Sequence, residues 1–190
     1  MIDRKELKTL AKDSLKNNWG IAIGVFLVYM VIQYALSATA IGSIFLGFLV
    51  VGYCAVNLCL IRNKQAKFET LFSGCQNFVT NFVAYLLVQI FTALWSLLFI
   101  IPGIVKACSY SMTCYILNDN PQMSASEAIN ASKAMMNGHK WEYFVLQLSF
   151  IGWYILSTFT FGLLLLYVGP YVNATNAAFY EKVKTMPVVE

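Results

Sequence analysis

Seven polar side chains stand inside otherwise apolar sequence and are the ones whose types could do chemistry: Asn57, Lys106, Tyr110, Thr113, Asn173, Thr175 and Asn176. Amides, hydroxyls and one ammonium can hydrogen-bond a solute or a lipid, or join neighbouring helices, but they form no acid–base pair. They are densest in Pro170-Tyr-Val-Asn-Ala-Thr-Asn176, where a proline frees a backbone carbonyl and kinks a helix just before three polar side chains. Interrupted helices at membrane depth are where transporters place binding sites. Hydrogen bonds between helices, at about 0.6–2 kcal/mol each, explain the same residues by packing alone. Lys106 divides the same way, as an interfacial anchor that snorkels to water or as a ligand-binding lysine.

Enzymatic constellations are missing from the sequence. The only histidine, His139, directly precedes Lys140, so neither a metal cluster nor a histidine-based triad can be assembled around it. No phosphate-binding glycine loop, no G-x-S-x-G and no pair of carboxylates within apolar sequence occurs. The expectation is a protein that is not an enzyme and that uses no metal and no cofactor.

The elements that must position these residues follow from charge. Lys106 is the only charged residue in three blocks, Asn17 to Ile61, Thr70 to Asn118 and Tyr143 to Tyr180. One helical crossing of a bilayer takes about 20 apolar residues, so each block is long enough to cross twice. Only 12% of the chain is charged and 59% is hydrophobic, where a soluble domain carries about 25% charged residues. The reading is all-α: a polytopic membrane protein with six transmembrane helices, arranged as three parallel helical hairpins in a single membrane domain over 1–190.

A short amphipathic segment precedes each hairpin. Leu7, Leu10, Ala11 and Leu15 share a face before the first; Phe68, Leu71 and Phe72 do so before the second. Before the third, Ser124-Ala-Ser-Glu127 is a capping box that opens a helix which Gly138 can close. These segments are expected at the cytoplasmic face, lying on the membrane surface or tucked beneath the bundle. Tight outer turns are expected near Thr39 to Gly42, at Pro102-Gly103 and at Thr160 to Gly162.

Twelve of the 13 basic residues then fall on one side, which puts both termini in the cytoplasm by the positive-inside rule. Ala38-Thr39-Ala40 imitates a signal-peptidase site, but the apolar run before it, Gly20 to Leu36, is longer than a signal's apolar core. The first span is therefore expected to be uncleaved. The five cysteines form no C-x-x-C and read as small apolar fillers rather than disulfide partners.

Parallels among the three hairpins suggest an internal repeat with units 1–62, 63–121 and 122–190. Ala11-Lys-Asp-Ser-Leu-Lys-Asn-Asn-Trp19 resembles Ser132-Lys-Ala-Met-Met-Asn-Gly-His-Lys-Trp141 with one residue inserted. An even number of spans per unit keeps the copies parallel, so helices two, four and six would face one another and carry the polar side chains.

Ile101-Pro-Gly103, Tyr110-Ser-Met112, Asp119-Asn-Pro121, Ser124-Ala-Ser-Glu-Ala128, Met136-Asn-Gly-His-Lys140 and Leu148-Ser-Phe-Ile-Gly-Trp153 carry a resemblance to a bacterial family catalogued as domain of unknown function 975. Pro170-Tyr171, Phe179-Tyr180 and the helix from Leu7 to Trp19 extend it over most of the chain. The family looks distantly similar to the membrane domain attached to some glycerophosphodiester phosphodiesterases. The resemblance implies a multi-span protein of the bacterial plasma membrane and supplies no catalytic residue. Two readings follow. One is a non-enzymatic module that binds membrane lipids, a membrane-protein partner or a second copy of itself. The other is a small transporter moving a small or amphipathic solute along helices two, four and six. Nucleic acid is not an expected partner.

Overall fold

The computed structural model describes residues 3–16, 18–37, 46–62, 64, 66–98, 100–160 and 162–186. The signal-like Ala38-Thr39-Ala40 and the first outer turn lie outside the described residues. Among those described, the regular structure is helical throughout, with no strand. The α-helices are α1 (Arg4–Leu15), α2 (Trp19–Ser37), α3 (Leu46–Ile61), α4 (Phe78–Leu98), α5 (Ile100–Tyr110), α6 (Thr113–Asp119), α7 (Ala125–Met135), α8 (Lys140–Leu148), α9 (Ile151–Phe159) and α10 (Leu165–Lys184). A 3₁₀ helix, Phe68–Asn77, leads into α4.

Among the described residues, two helical stretches are long and apolar enough to cross a membrane: Trp19–Leu36, with mean hydropathy 1.9, and Phe68–Leu97, with mean hydropathy 1.7. The helix Leu46–Ile61 is apolar but shorter. The other expected crossings are interrupted. A turn at Ser111-Met112 separates α5 from α6, another at Ser149-Phe150 separates α8 from α9, and α10 contains Pro170.

The three amphipathic segments form helices, and each has a face in the core rather than on a surface. Leu7, Ala11 and Leu15 of α1 are buried, as are Leu71 of the 3₁₀ helix and Ala128, Ile129 and Ser132 of α7. Phe68 and Phe72, expected on the same face as Leu71, are instead about half exposed; winding at three residues per turn carries Phe72 off the Leu71 face, while Phe68, at the start of the segment, reaches toward Gly24 of α2. Each segment docks on a returning helix from elsewhere in the chain. Helix α1 packs on α10, the 3₁₀ helix on α3, and α7 on α6. In the second pair a Cβ on Gly52 would collide with the Leu71 carbonyl, and one on Gly74 with the Phe48 carbonyl. Backbone lies directly on backbone there, which only glycine permits.

Local signals behave as the chain chemistry dictates. Ser124 and Glu127 form both halves of the capping box, with Ser124 N–H donating to Glu127 Oε2 at 2.8 Å. Gly138 takes φ 79° after α7, and Gly162 takes φ 82° after α9. Pro102 and Gly103 do not make the outer turn. They sit in the first turn of α5, where proline's missing N–H costs nothing. Gly103 lies against Ser96 of α4 and closes that hairpin.

One core cluster draws residues from Leu7 to Val183. Helix α3 stands at its centre, packed by α10, α6, α4 and the 3₁₀ helix. Around it, α2, α4 and α9 turn large apolar side chains outward, among them Val31, Val79, Leu97 and Phe159.

Candidate functional site

The C-terminal ends of α3, α6 and α10 converge on Asp119. Arg62, just past α3, donates to both carboxylate oxygens, Nη1 to Oδ1 at 2.9 Å and Nη2 to Oδ2 at 2.7 Å. Tyr180 Oη donates to the same carboxylate at 3.0 Å and Lys184 Nζ at 2.6 Å. Arg62 Nε also reaches Glu181 at 2.8 Å. Burial alone would raise the Asp119 carboxyl, but the Arg62, Lys184 and Tyr180 hydrogen bonds and the Arg62 charge prevail and hold it at about 2. Hydrogen bonds to Asp119 and Glu181, together with their charges, push Arg62 further up against its partial burial and keep it charged. Helix α6 stops at Asp119, whose carboxylate joins the C-terminal ends of all three helices.

The buried polar residues of those helices mostly bond to their own backbone. Asn57 Nδ2 donates to the Tyr53 carbonyl at 2.8 Å, Asn173 Nδ2 to the Gly169 carbonyl at 2.8 Å, and Thr175 Oγ1 to the Tyr171 carbonyl at 2.8 Å. Each bond runs four residues back along one helix. Asn57 and Asn173 do come together around the buried Tyr53 hydroxyl, which lies against both amides without a well-formed hydrogen bond. Asn176 instead joins two helices, accepting from Gln147 Nε2 of α8 at 2.7 Å. Lys106 is half-buried with its ammonium 4.6 Å above the Trp95 ring of α4, a cation–π contact within one hairpin.

Tyr110 and Thr113 belong to a different place. With Ser111 they flank the turn between α5 and α6 and line a cleft of about 220 Å³ against α3 and α4. Asn81 and Gln89 of α4 face the same space. Tyr110 is buried, with its ring tilted on Phe91 and Lys133 Nζ 5.7 Å above it. Asn81 donates to the Gly74 carbonyl at 2.7 Å, and Ser111 to the Cys108 carbonyl at 2.8 Å.

Thr113 Oγ1 is buried and has no hydrogen-bond partner among the described residues. The turn at Ser111-Met112 makes Thr113 the first residue of α6, without the helical carbonyl four residues back that serves Thr175. The Ser109 carbonyl accepts from Ser132 Oγ of α7 at 2.8 Å. A buried hydroxyl left unsatisfied costs about 1–3 kcal/mol.

Cys114, on the wall of this cleft, is disulfide-bonded to Cys54 of α3. This corrects the expectation that the cysteines are unpaired fillers. The lack of a C-x-x-C motif was no guide, because packing α3 on α6 brings the two Cα atoms to 6.3 Å, within disulfide reach. Cys59, Cys75 and Cys108 are free. Among the described residues no group of three or more His, Cys, Asp and Glu side chains is placed to hold a metal ion.

The seven residues singled out from sequence therefore divide among four settings. Asn57 and Asn173 share the Tyr53 neighbourhood, and Tyr110 and Thr113 share the cleft. Thr175 and Asn176 are engaged within and between helices, and Lys106 is engaged with Trp95. The Asp119 cluster and the α4 side of the cleft were missed. Uniform apolar spacing along α4 gives no sign of which face meets α6.

A family model described as a protein of unknown function (DUF975) matches residues 1–109 and 100–186. No curated protein and no solved structure matches the chain, so the distant likeness to the membrane domain of glycerophosphodiester phosphodiesterases gains no support from these comparisons.

Proposed function

The chain belongs to this family of proteins of unknown function, and from that premise we propose that it is a non-enzymatic integral membrane module that binds lipids or partner proteins. It crosses the bacterial plasma membrane six times as three hairpins, with both termini cytoplasmic. The outward apolar side chains of α2, α4 and α9 support embedding, since a bilayer is the solvent that suits them. The ion pair between Glu6 of α1 and Lys182 of α10, at 2.8 Å, supports a common side for the two ends of the chain.

One observation favours the module over the transporter. Asn57, Asn173 and Thr175 each donate to a carbonyl of their own helix. Neither Asn57, Asn173 nor Asn176 lines the cleft that Thr113 faces. A solute path needs those groups turned toward a shared space; packing needs them satisfied, as they are. Partners of the module are membrane lipids, a second copy of the chain or another membrane protein, and nucleic acid is not among them.

The test has two arms. The protein should stay in the membrane pellet after alkaline extraction. A cysteine in place of Thr185 should label with an impermeant maleimide only after the cells are permeabilised. Release by alkali, or labelling in intact cells, overturns the topology. Solute flux in proteoliposomes that Asn173→Leu abolishes in a folded protein overturns the module in favour of transport.

A further inference from the structure

We propose that the cleft between α3, α4 and the α5–α6 turn is a binding site for a neutral lipid with a free hydroxyl, whose polar end meets Thr113. The proposal rests on the membrane-module reading and names the lipid class that module would take.

Three observations carry it. The cleft contains a group that lacks a partner: the Thr113 hydroxyl is buried, and the nearby Ser109 carbonyl already accepts from Ser132. A hydroxyl can donate and accept, so it is met equally well by a ligand hydroxyl or an ester carbonyl. Gln89 of α4 adds a polar group on the facing wall, and Tyr110 adds one on the same side of the cleft as Thr113.

The second observation is charge. Among the described residues no Asp, Glu, Lys, Arg or His lines the cleft, whose other walls mix apolar Gly47, Val50, Ala84 and Val88 with the uncharged polar Asn81 and Tyr85. A carboxylate or phosphate placed there would lose its hydration without gaining a counter-charge. The ligand is therefore neutral.

The third is size and continuity. At about 220 Å³ the cleft is smaller than the roughly 300–1,000 Å³ that encloses a drug-sized ligand. It takes a head and the first carbons of a chain. The α4 wall ends on the exposed Gln89, past which the rest of an acyl chain extends into the bilayer.

The experiment loads the full-length protein in detergent with monooleoylglycerol, and separately with oleate, and counts retained ligand by native mass spectrometry. The variants are Thr113→Val, which removes the hydroxyl at nearly constant shape, Thr113→Ser, which keeps it, and Val88→Phe, which fills the cleft from a half-buried position. Retention of monooleoylglycerol should fall about tenfold in Thr113→Val and Val88→Phe, equivalent to about 1.4 kcal/mol. It should persist in Thr113→Ser, and oleate should not be retained. Equal retention in wild type and Val88→Phe overturns the site. Loss in Val88→Phe but not in Thr113→Val overturns the Thr113 contact and leaves water as that hydroxyl's partner. Oleate held as well as monooleoylglycerol overturns the neutral class. Alkaline extraction of each variant keeps these outcomes separate from a failure of membrane embedding.

Discussion

Arg62 and Asp119 grip each other through two parallel hydrogen bonds of 2.9 and 2.7 Å across 57 residues of chain. Their bidentate geometry fixes the end of α3 against the end of α6, and Tyr180, Glu181 and Lys184 fasten α10 to the same pair. Such a fork suits a guanidinium on a carboxylate and does not suit a lysine ammonium.

Arg62→Ala should therefore lower the thermal midpoint in detergent. It leaves a largely buried carboxylate with Lys184 and Tyr180 only. The expected loss is about 1–3 kcal/mol, below the range for a fully buried pair because Arg62 is partly exposed. Arg62→Lys should recover less than half of it. Full recovery with lysine would show that charge alone matters there.

Acid should weaken the same junction. The Asp119 carboxyl is held at about 2 against an ordinary 3.8, so the unfolded chain binds its proton more readily than the folded one. The stabilisation is complete above pH 3.8 and is lost as pH falls through about 2. A stability profile for Asp119→Asn should be flatter than wild type across that window. Parallel profiles would remove Asp119 from the acid response.

Gly52→Ala places a methyl against the Leu71 carbonyl, which is backbone and cannot rotate away. The cost should be about 3 kcal/mol, at the upper end for overpacking. Gly20→Ala, in open space at the start of α2, serves as the control and should be neutral or slightly stabilising. Comparable thermal midpoints for the two variants would contradict the contact.

Cysteine chemistry offers a direct count. In denaturant without reductant, a maleimide should label three of the five cysteines, Cys59, Cys75 and Cys108. After reduction it should label all five. Five adducts without reductant would show that Cys54 and Cys114 are unbonded.

Lys106→Met should cost no more than about 1 kcal/mol, the worth of an exposed cation–π contact. Retention of monooleoylglycerol should not change, because Lys106 does not line the cleft. Loss of ligand in this variant would return Lys106 to the role of a binding residue.

What could be read in the sequence was local. The Ser124–Glu127 capping box and the Leu7, Ala11, Leu15 face depend on residues three or four apart, and both are present. The turns at Ser111-Met112 and Ser149-Phe150 contain neither glycine nor proline, so no residue type marked them. The Thr113 hydroxyl drew attention as one polar residue among seven. What distinguishes it is its place as the first residue of α6, just past the unmarked turn at Ser111-Met112. The bonds from Arg62 to Asp119 and from Cys54 to Cys114 arise from helices meeting in space, and spacing along the chain does not encode them.

The docking of α1 on α10 has a temporal consequence. Helix α1 leaves the ribosome before the other described helices, and α10, on which it packs, leaves after them. Throughout synthesis the apolar face of α1 waits beside the nascent chain while the intervening elements insert. The 3₁₀ helix waits for nothing, because α3 precedes it, and α7 likewise finds α6 already made. Among the described elements, the contact between α1 and α10 is therefore the last that synthesis makes possible. Translation must reach α10 before the fold can close.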